Sequence, residues 1–440
     1  MNNRNSDSLG LKELVAIAIG GMVGGGIFTI LGISVNLIGF LTPIAIIIGG
    51  IVAGLAAYSY VKLGLYYKDE GATYAFVKKT YPTLKYPAAV IGWLVIFGYI
   101  STLAIYAYTF SSYAISGMDF ANDIWARKLI ALGILVVFVL INVWSVNGMG
   151  KIEDLMVYTK LIILTIISII LINYRSIDMQ TFIHNMHDDF ENTSIMNILI
   201  VASLTFVAYE GFQLVINAVN EMKNPEKNTP LAIYSAIAIV IILYVIISVG
   251  ALFTIPLEQM AKDKEYALAA GVGNTIGNIG YLLVVFGAIL ATSSAISGTL
   301  FGSSRQMAEI AGDGLFPAKL AQRKKNIPVI AVISMGIMAG ILILAGGLRL
   351  LVEFGSITFL LVSFLMALIN FKIRKKTKSS ALITIFAIIG LGLGGFLILY
   401  YEFTHKWEQM TAIIIVYIIL IISALLYSKK EIFLKPKHID

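Results

Sequence analysis

Gly20-Gly21-Met22-Val23-Gly24-Gly25-Gly26-Ile27-Phe28 is the stretch whose reading decides this fold. It lies inside an apolar run from about Leu9 to Phe40, where a membrane-crossing helix is expected. Five glycines between Gly20 and Gly26 write a continuous helix poorly, since each costs about 1 kcal/mol against alanine. In hydrocarbon the freed backbone groups must find partners, unless they line a protected cavity. Two readings compete. Small residues let helices pack closely, as in Gly-xxx-Gly contacts, or a broken helix bares backbone to a polar ligand at mid-membrane.

Composition sets the class. Of 440 residues, 58% are hydrophobic and 13% charged, with a mean hydropathy of +0.88. A soluble domain has about 45–50% apolar and about 25% charged residues. Apolar runs of about 20 residues recur along the whole chain, enough to cross a bilayer core. The alternating segments of about 10 residues that build a membrane β-barrel do not occur. The expectation is an all-α integral membrane protein with twelve spans, near 10–38, 42–65, 86–115, 125–146, 152–173, 195–219, 229–254, 277–308, 327–346, 350–371, 380–401 and 410–427. The first span is too long for the core of a cleavable signal and lacks its small-residue site. The absence of cysteine excludes disulfides and thiolate metal sites.

Charge placement gives an orientation. With the N-terminus, the even-to-odd connections and the C-terminus in the cytoplasm, the outer side holds few of the 32 Lys and Arg: Arg127, Lys128, Arg175, Lys262, Lys264, Arg349 and Lys406. Lys62 and Lys160 fall in or at the edge of spans. The positive-inside rule then favours both termini inside, in a plasma membrane, and topology accounts for the net charge of +7 without a nucleic-acid partner. Arg323-Lys324-Lys325 and the lysines from Lys372 to Lys378 read as topology signals, with anionic lipid headgroups as the other reading.

Between the spans, the segment from Tyr66 to Tyr86 reads as a short amphipathic element on the cytoplasmic face. The external stretch with Asp178, His184, His187, Asp188, Asp189 and Glu191 fits no metal-ligand spacing and is expected to be a solvated loop. The 255–276 connection should include a short external helix over the mouth of the protein. No Walker motif, Arg repeat of a voltage sensor or TVGYG-like filter is present, and nothing asks for a cofactor or for enzymatic chemistry.

A second break lies in span six, at Phe206-Val207-Ala208-Tyr209-Glu210-Gly211-Phe212. A carboxylate at that depth costs several kcal/mol, so Glu210 should face a cavity or a partner; an interhelical hydrogen bond, with the acid protonated, is the other reading. The breaks occupy spans one and six, five spans apart. An odd repeat makes the second unit enter the membrane from the opposite side, as in the paired broken helices of LeuT-type transporters. Half-helix ends offer N–H groups to a carboxylate and C=O groups to an ammonium. A zwitterionic amino acid presents both. Lys160, two turns into an otherwise apolar span, is either a lysine reaching the interface or a buried ammonium suited to releasing a proton during transport. Held in place, it would also fill a cation site and remove the need for sodium.

These residues resemble the amino acid–polyamine–organocation (APC) family over nearly the whole chain. Four motifs carry the likeness: Gly21 to Phe28; Phe206 to Phe212; Glu221-Met222-Lys223-Asn224-Pro225 through Pro230; and Ser304-Arg305 through Ala308, Asp313-Gly314 and Pro317. Within the family, Gly150-Lys151 through Glu153, Lys160-Leu161, and Lys62-Leu63-Gly64 resemble the archaeal proton-coupled, sodium-independent branch. The resemblance implies a LeuT-type fold, with repeats at 1–173 and 195–371 and accessory spans eleven and twelve with a tail at 372–440. It implies that Gly24, Gly25 and Gly26 bind a substrate carboxylate through N–H groups. Carbonyls near Gly20, Gly21, Met22 and Val23, with Ala208, would receive the amine or the lysine. Tyr209 and Glu210 would line the substrate site, with Phe206 and Phe212 as aromatic gates. Thr292, Ser293 and Ser294 correspond to hydroxyls of a second cation site, toward which Lys160 would project. Glu210 stands where several relatives are apolar, which would favour basic substrates or add a proton site. The function expected is secondary amino-acid transport by proton symport across the bilayer. Amino-acid or polyamine exchange is the nearest alternative, and a channel or a non-transporting amino-acid sensor the remote ones.

Overall fold

In the computed structural model, residues 9–69, 71–144, 149–219, 222–262, 266–324 and 327–434 are described. Glu221, Lys264 and Lys325, used in the sequence reading, lie outside them. Among the described residues no β-structure exceeds an isolated bridge. The chain runs through α1 (Leu11–Met22), α2 (Gly26–Ile38), α3 (Thr42–Tyr67), α4 (Ala72–Thr80), α5 (Lys85–Ala114), α6 (Ile124–Trp144) and α7 (Met149–Asn173). It continues through α8 (Met179–Asn192), α9 (Ile195–Thr205), α10 (Pro225–Thr254), α11 (Leu257–Lys262), α12 (Ala267–Ile276), α13 (Asn278–Gly312), α14 (Val329–Ala345), α15 (Leu348–Lys372), α16 (Arg374–Thr377), α17 (Ala381–His405) and α18 (Trp407–Leu434). Among the described residues, ten stretches are long and apolar enough to cross a membrane by length and composition. Val329–Ala345, at 17 residues, is a shorter apolar helix. The protein is an all-α membrane protein.

Both expected interruptions are present. Span one is divided into α1 and α2, separated at Val23–Gly25. Span six leaves α-helix at Phe206 and continues as two short 3-10 segments, Phe206–Tyr209 and Phe212–Ala218. The neighbours of the spans recur at an interval of five. Helix α1 packs on α10 in span seven, while α9 of span six packs on α3 in span two. Likewise α5 meets α15 as α13 meets α7, and α5 meets α6 as α13 meets α14. Helices α5 and α13, third in their respective sets of five, form a central pair.

One expectation needs correcting. The acidic external stretch is not a solvated loop but α8, capped by Asp178, whose carboxylate accepts from Thr181 N at 2.7 Å. Its apolar residues Met179, Phe182, Ile183, Met186 and Phe190 recur at helical spacing, a pattern the charges obscured. Phe182 stacks on Phe253 and meets Phe40 edge-on, and Asp189 accepts from Phe40 N at 2.7 Å, tying α8 to the turn after α2. His184 and His187 pair instead with Asp188 and Glu191 one turn further along α8. The cap satisfies the Asp178 carboxylate and holds it below the usual carboxylate range. The segment after Tyr66 forms α4 as expected. Asp313, just past α13, joins it through Tyr74 Oη at 2.8 Å and Lys78 Nζ at 2.7 Å.

Candidate substrate and cation site

The two breaks cross each other. Gly211 has φ +127°, and a Cβ there would lie 2.7 Å from Gly21 Cα and Met22 N, so only glycine fits. One turn along, a Cβ on Gly26 would lie 2.8 Å from Ala208 Cβ. The glycine run thus serves close packing as well as breaking the helix. Gly20 faces Val157 of α7, Gly24 faces Ala295 of α13, and Gly25 faces Thr109 of α5.

Breaking α1 frees carbonyls, and other helices supply the donors. Lys160, fully buried on α7, donates from Nζ to Gly20 O at 3.1 Å, Val23 O at 2.6 Å and Ser294 Oγ at 3.1 Å. It therefore stays at the break and does not reach the interface. Tyr244 of α10 donates one hydroxyl to Met22 O at 2.8 Å and Ala208 O at 3.1 Å, bridging both breaks. Tyr106 of α5 donates to Gly21 O at 3.3 Å. At the start of α2, the N-cap Gly25 offers no side-chain oxygen to the first N–H groups.

Other expected residues are placed as follows. Ser294 meets Lys160, whereas the Thr292 hydroxyl bonds back to Ala288 O and Ile289 O of its own helix. Ser293 is buried on the same turn. Tyr209 points away from the crossing and donates to Ile46 O of α3 at 2.8 Å. Phe212 packs edge-on against Tyr60, and Phe206 is buried nearby in the core.

Glu210 faces a cavity of about 10 Å³, room for one water molecule. Gly21, Gly211, Leu214 and Glu210 line one side; Tyr99, Thr102 and Tyr106 of α5, Thr299 of α13 and Phe359 of α15 line the rest. Gln213 Nε2 donates to Glu210 Oε2 at 2.5 Å and to Tyr99 Oη at 3.2 Å. Glu210 Oε1 has no hydrogen-bond partner among the described residues. Sequence reasoning missed Tyr99, Thr102, Tyr106, Gln213, Tyr244, Thr299 and Phe359. A signal was available for α5: Tyr99, Thr102, Tyr106 and Thr109 recur at i, i+3, i+7 and i+10, a polar stripe along an apolar helix.

Two interrupted helices that cross inside the fold, with a buried lysine and a buried glutamate beside the crossing, are the arrangement of a membrane transporter. Residues 9–425 match the amino acid permease family, and the chain belongs to it. It is 27% identical over 427 residues to an uncharacterized protein of Methanocaldococcus jannaschii, covering 96% of this chain and 95% of that one. It is 29% identical over 324 residues to the inner membrane transport protein YbaT of Escherichia coli, covering 71% and 74% of the two chains. Against the branched-chain amino acid permease BcaP of Bacillus subtilis the identity is 25% over 382 residues, covering 81% and 79%.

Proposed function

We propose that this amino-acid transporter is a proton-coupled, sodium-independent symporter of the plasma membrane, working by alternating access. The observation that carries this is Lys160. Its ammonium sits on two carbonyls and a hydroxyl, an all-oxygen environment of the kind that would otherwise suit a monovalent cation. A fixed positive charge there does the electrostatic work of that cation. Loss of its proton would weaken three contacts that hold α1, α7 and α13 together, linking protonation to helix movement.

The twelve-span arrangement, with repeats at 1–173 and 195–371, both termini cytoplasmic and residues 372–440 accessory, is part of the same reading. The five-span recurrence of helix neighbours supports it. Rocking of one helix set against the other would expose the crossing to each face in turn.

Uptake into proteoliposomes tests the proposal. Wild-type uptake is expected to rise with an inward proton gradient and to be indifferent to sodium. Lys160→Ala should retain measurable substrate binding while losing pH-driven accumulation. Wild-type-like, pH-driven uptake by that variant would sink the proposal, and counterflow that ignores the gradient would favour exchange.

A further inference from the structure

The carbonyls expected to receive the substrate amine already have protein donors. Gly20 O and Val23 O accept from Lys160, Gly21 O from Tyr106, and Met22 O and Ala208 O from Tyr244. The side of the crossing that carries Gly24 to Gly26 is packed against Ala295, Thr109 and Ala208. The opening lies on the other side, lined by Gly21, Gly211 and Glu210, and Glu210 Oε1 is a buried acceptor without a partner among the described residues. Glu210 is 3% exposed, and no basic side chain among the described residues forms an ion pair with it.

We propose that Glu210 reads the ammonium group of the substrate: this buried carboxylate, lining a water-sized cavity with Tyr99, Tyr106, Thr102 and Thr299, takes a primary ammonium. This rests on the amino-acid transport reading above and deepens it. A buried carboxylate with an unused lone pair is costly, and an arriving cation relieves that cost. The dimensions select the cation, because –NH₃⁺ is about the size of a water molecule, whereas guanidinium and trimethylammonium are larger. Tyr99 and Tyr106 put aromatic rings in the wall of the cavity, and the hydroxyls of Thr102 and Thr299 are available as further acceptors. Gln213 fixes the carboxylate by binding Oε2, which leaves Oε1 for the incoming group. The ammonium comes either from the α-amino group of any amino acid or from the side chain of a diamino acid or diamine. The chemistry is shared.

The test uses purified wild type and Glu210→Gln, a near-isostere that can keep the contact with Gln213. Four probes are compared by thermal shift and by competition in proteoliposome uptake: L-norleucine, L-lysine, 1,5-diaminopentane and hexanoate. In the wild type, probes with the recognised ammonium should bind at least tenfold more tightly than hexanoate. In Glu210→Gln their affinity should fall at least tenfold, with hexanoate unchanged. A fall for norleucine and lysine assigns the α-ammonium, and a fall confined to lysine and the diamine assigns a side-chain ammonium. Binding of every amine within twofold of wild type by Glu210→Gln overturns the proposal and leaves the transport reading intact. If no amino acid is taken up or shifts the wild type, both fall. Should the variant not fold, the wild type decides alone. Nα-trimethylnorleucine or Nε-trimethyllysine should then bind at least tenfold more weakly than its parent, and equal binding by both overturns the proposal.

Discussion

The two breaks do the same work with opposite means. The break in span one has five glycines, no ionisable residue of its own and carbonyls closed by donors from α5, α7 and α10. The break in span six has one glycine, two short 3-10 segments and a carboxylate with one oxygen satisfied and the other not. The first is a filled site and the second an open one. The comparison teaches that a charge inside a membrane is read through its partners and not its depth. Lys160 has three acceptors around one ammonium, while Glu210 has one donor for two oxygens.

The largest effect is expected where the breaks touch. Gly211→Ala would place a methyl group against the backbone of Gly21 and Met22, in a backbone conformation that L-residues avoid. Steric overlap that cannot relax should cost about 4 kcal/mol or more, read as loss of a folded species in detergent. Gly277→Ala is the control. It has φ +91° and ψ −171°, and a methyl added there meets open space, so only the conformational cost of about 1–3 kcal/mol applies. Equal effects of the two substitutions would show that the crossing is not tightly packed.

Next comes the filled site. Lys160→Ala leaves Gly20 O, Val23 O and Ser294 Oγ without their ammonium, and should lower stability by about 3 kcal/mol. Sodium should then restore part of the loss, because the exposed oxygens can hold a monovalent cation. A thermal-shift titration comparing sodium with choline checks this. A variant indifferent to sodium would break the reading of this site as one the lysine fills.

Much of this was legible in the sequence, and the reasons differ by residue. The interruptions were legible because glycine and a mid-span carboxylate violate the rules of an apolar helix locally, so Gly20 to Gly26 and Glu210 stand out without any tertiary information. Lys160 was legible for the same reason, and its placement beside Gly20, Val23 and Ser294 followed from family resemblance. Tyr244 was not legible. A tyrosine in an apolar span is ordinary, and only the fold brings its hydroxyl within reach of two carbonyls from spans one and six. Tyr209 was expected to share a site with its neighbour Glu210, and the structure turns the two side chains to different partners. The 3-10 turn ends at Tyr209 and the backbone becomes extended at Glu210, so Glu210 meets the cavity while Tyr209 meets α3. Helix α8 was hidden by its composition, since Asp178, His184, His187, Asp188, Asp189 and Glu191 crowd a short segment with few apolar residues.

The finest distinction lies between the two tyrosines that close the break in span one. Tyr244 Oη serves Met22 O at 2.8 Å and Ala208 O at 3.1 Å, so Tyr244→Phe removes the hydroxyl that ties the breaks together. Met22 O retains the Gly24 N–H at 3.0 Å, leaving Ala208 O as the more exposed loss. A cost of about 1–2 kcal/mol follows for one buried acceptor deprived of its donor. Tyr106 serves Gly21 O alone, at a longer 3.3 Å, so Tyr106→Phe should cost about 0.5 kcal/mol. It also lines the cavity, whereas Tyr244 is not among the lining residues. Tyr106→Phe should therefore change substrate affinity more than stability, and Tyr244→Phe the reverse. Thermal denaturation and substrate titration on the same two preparations separate these outcomes. If both variants lost stability alike with affinity untouched, the open side of the crossing would be structural and the contrast between the breaks would fail.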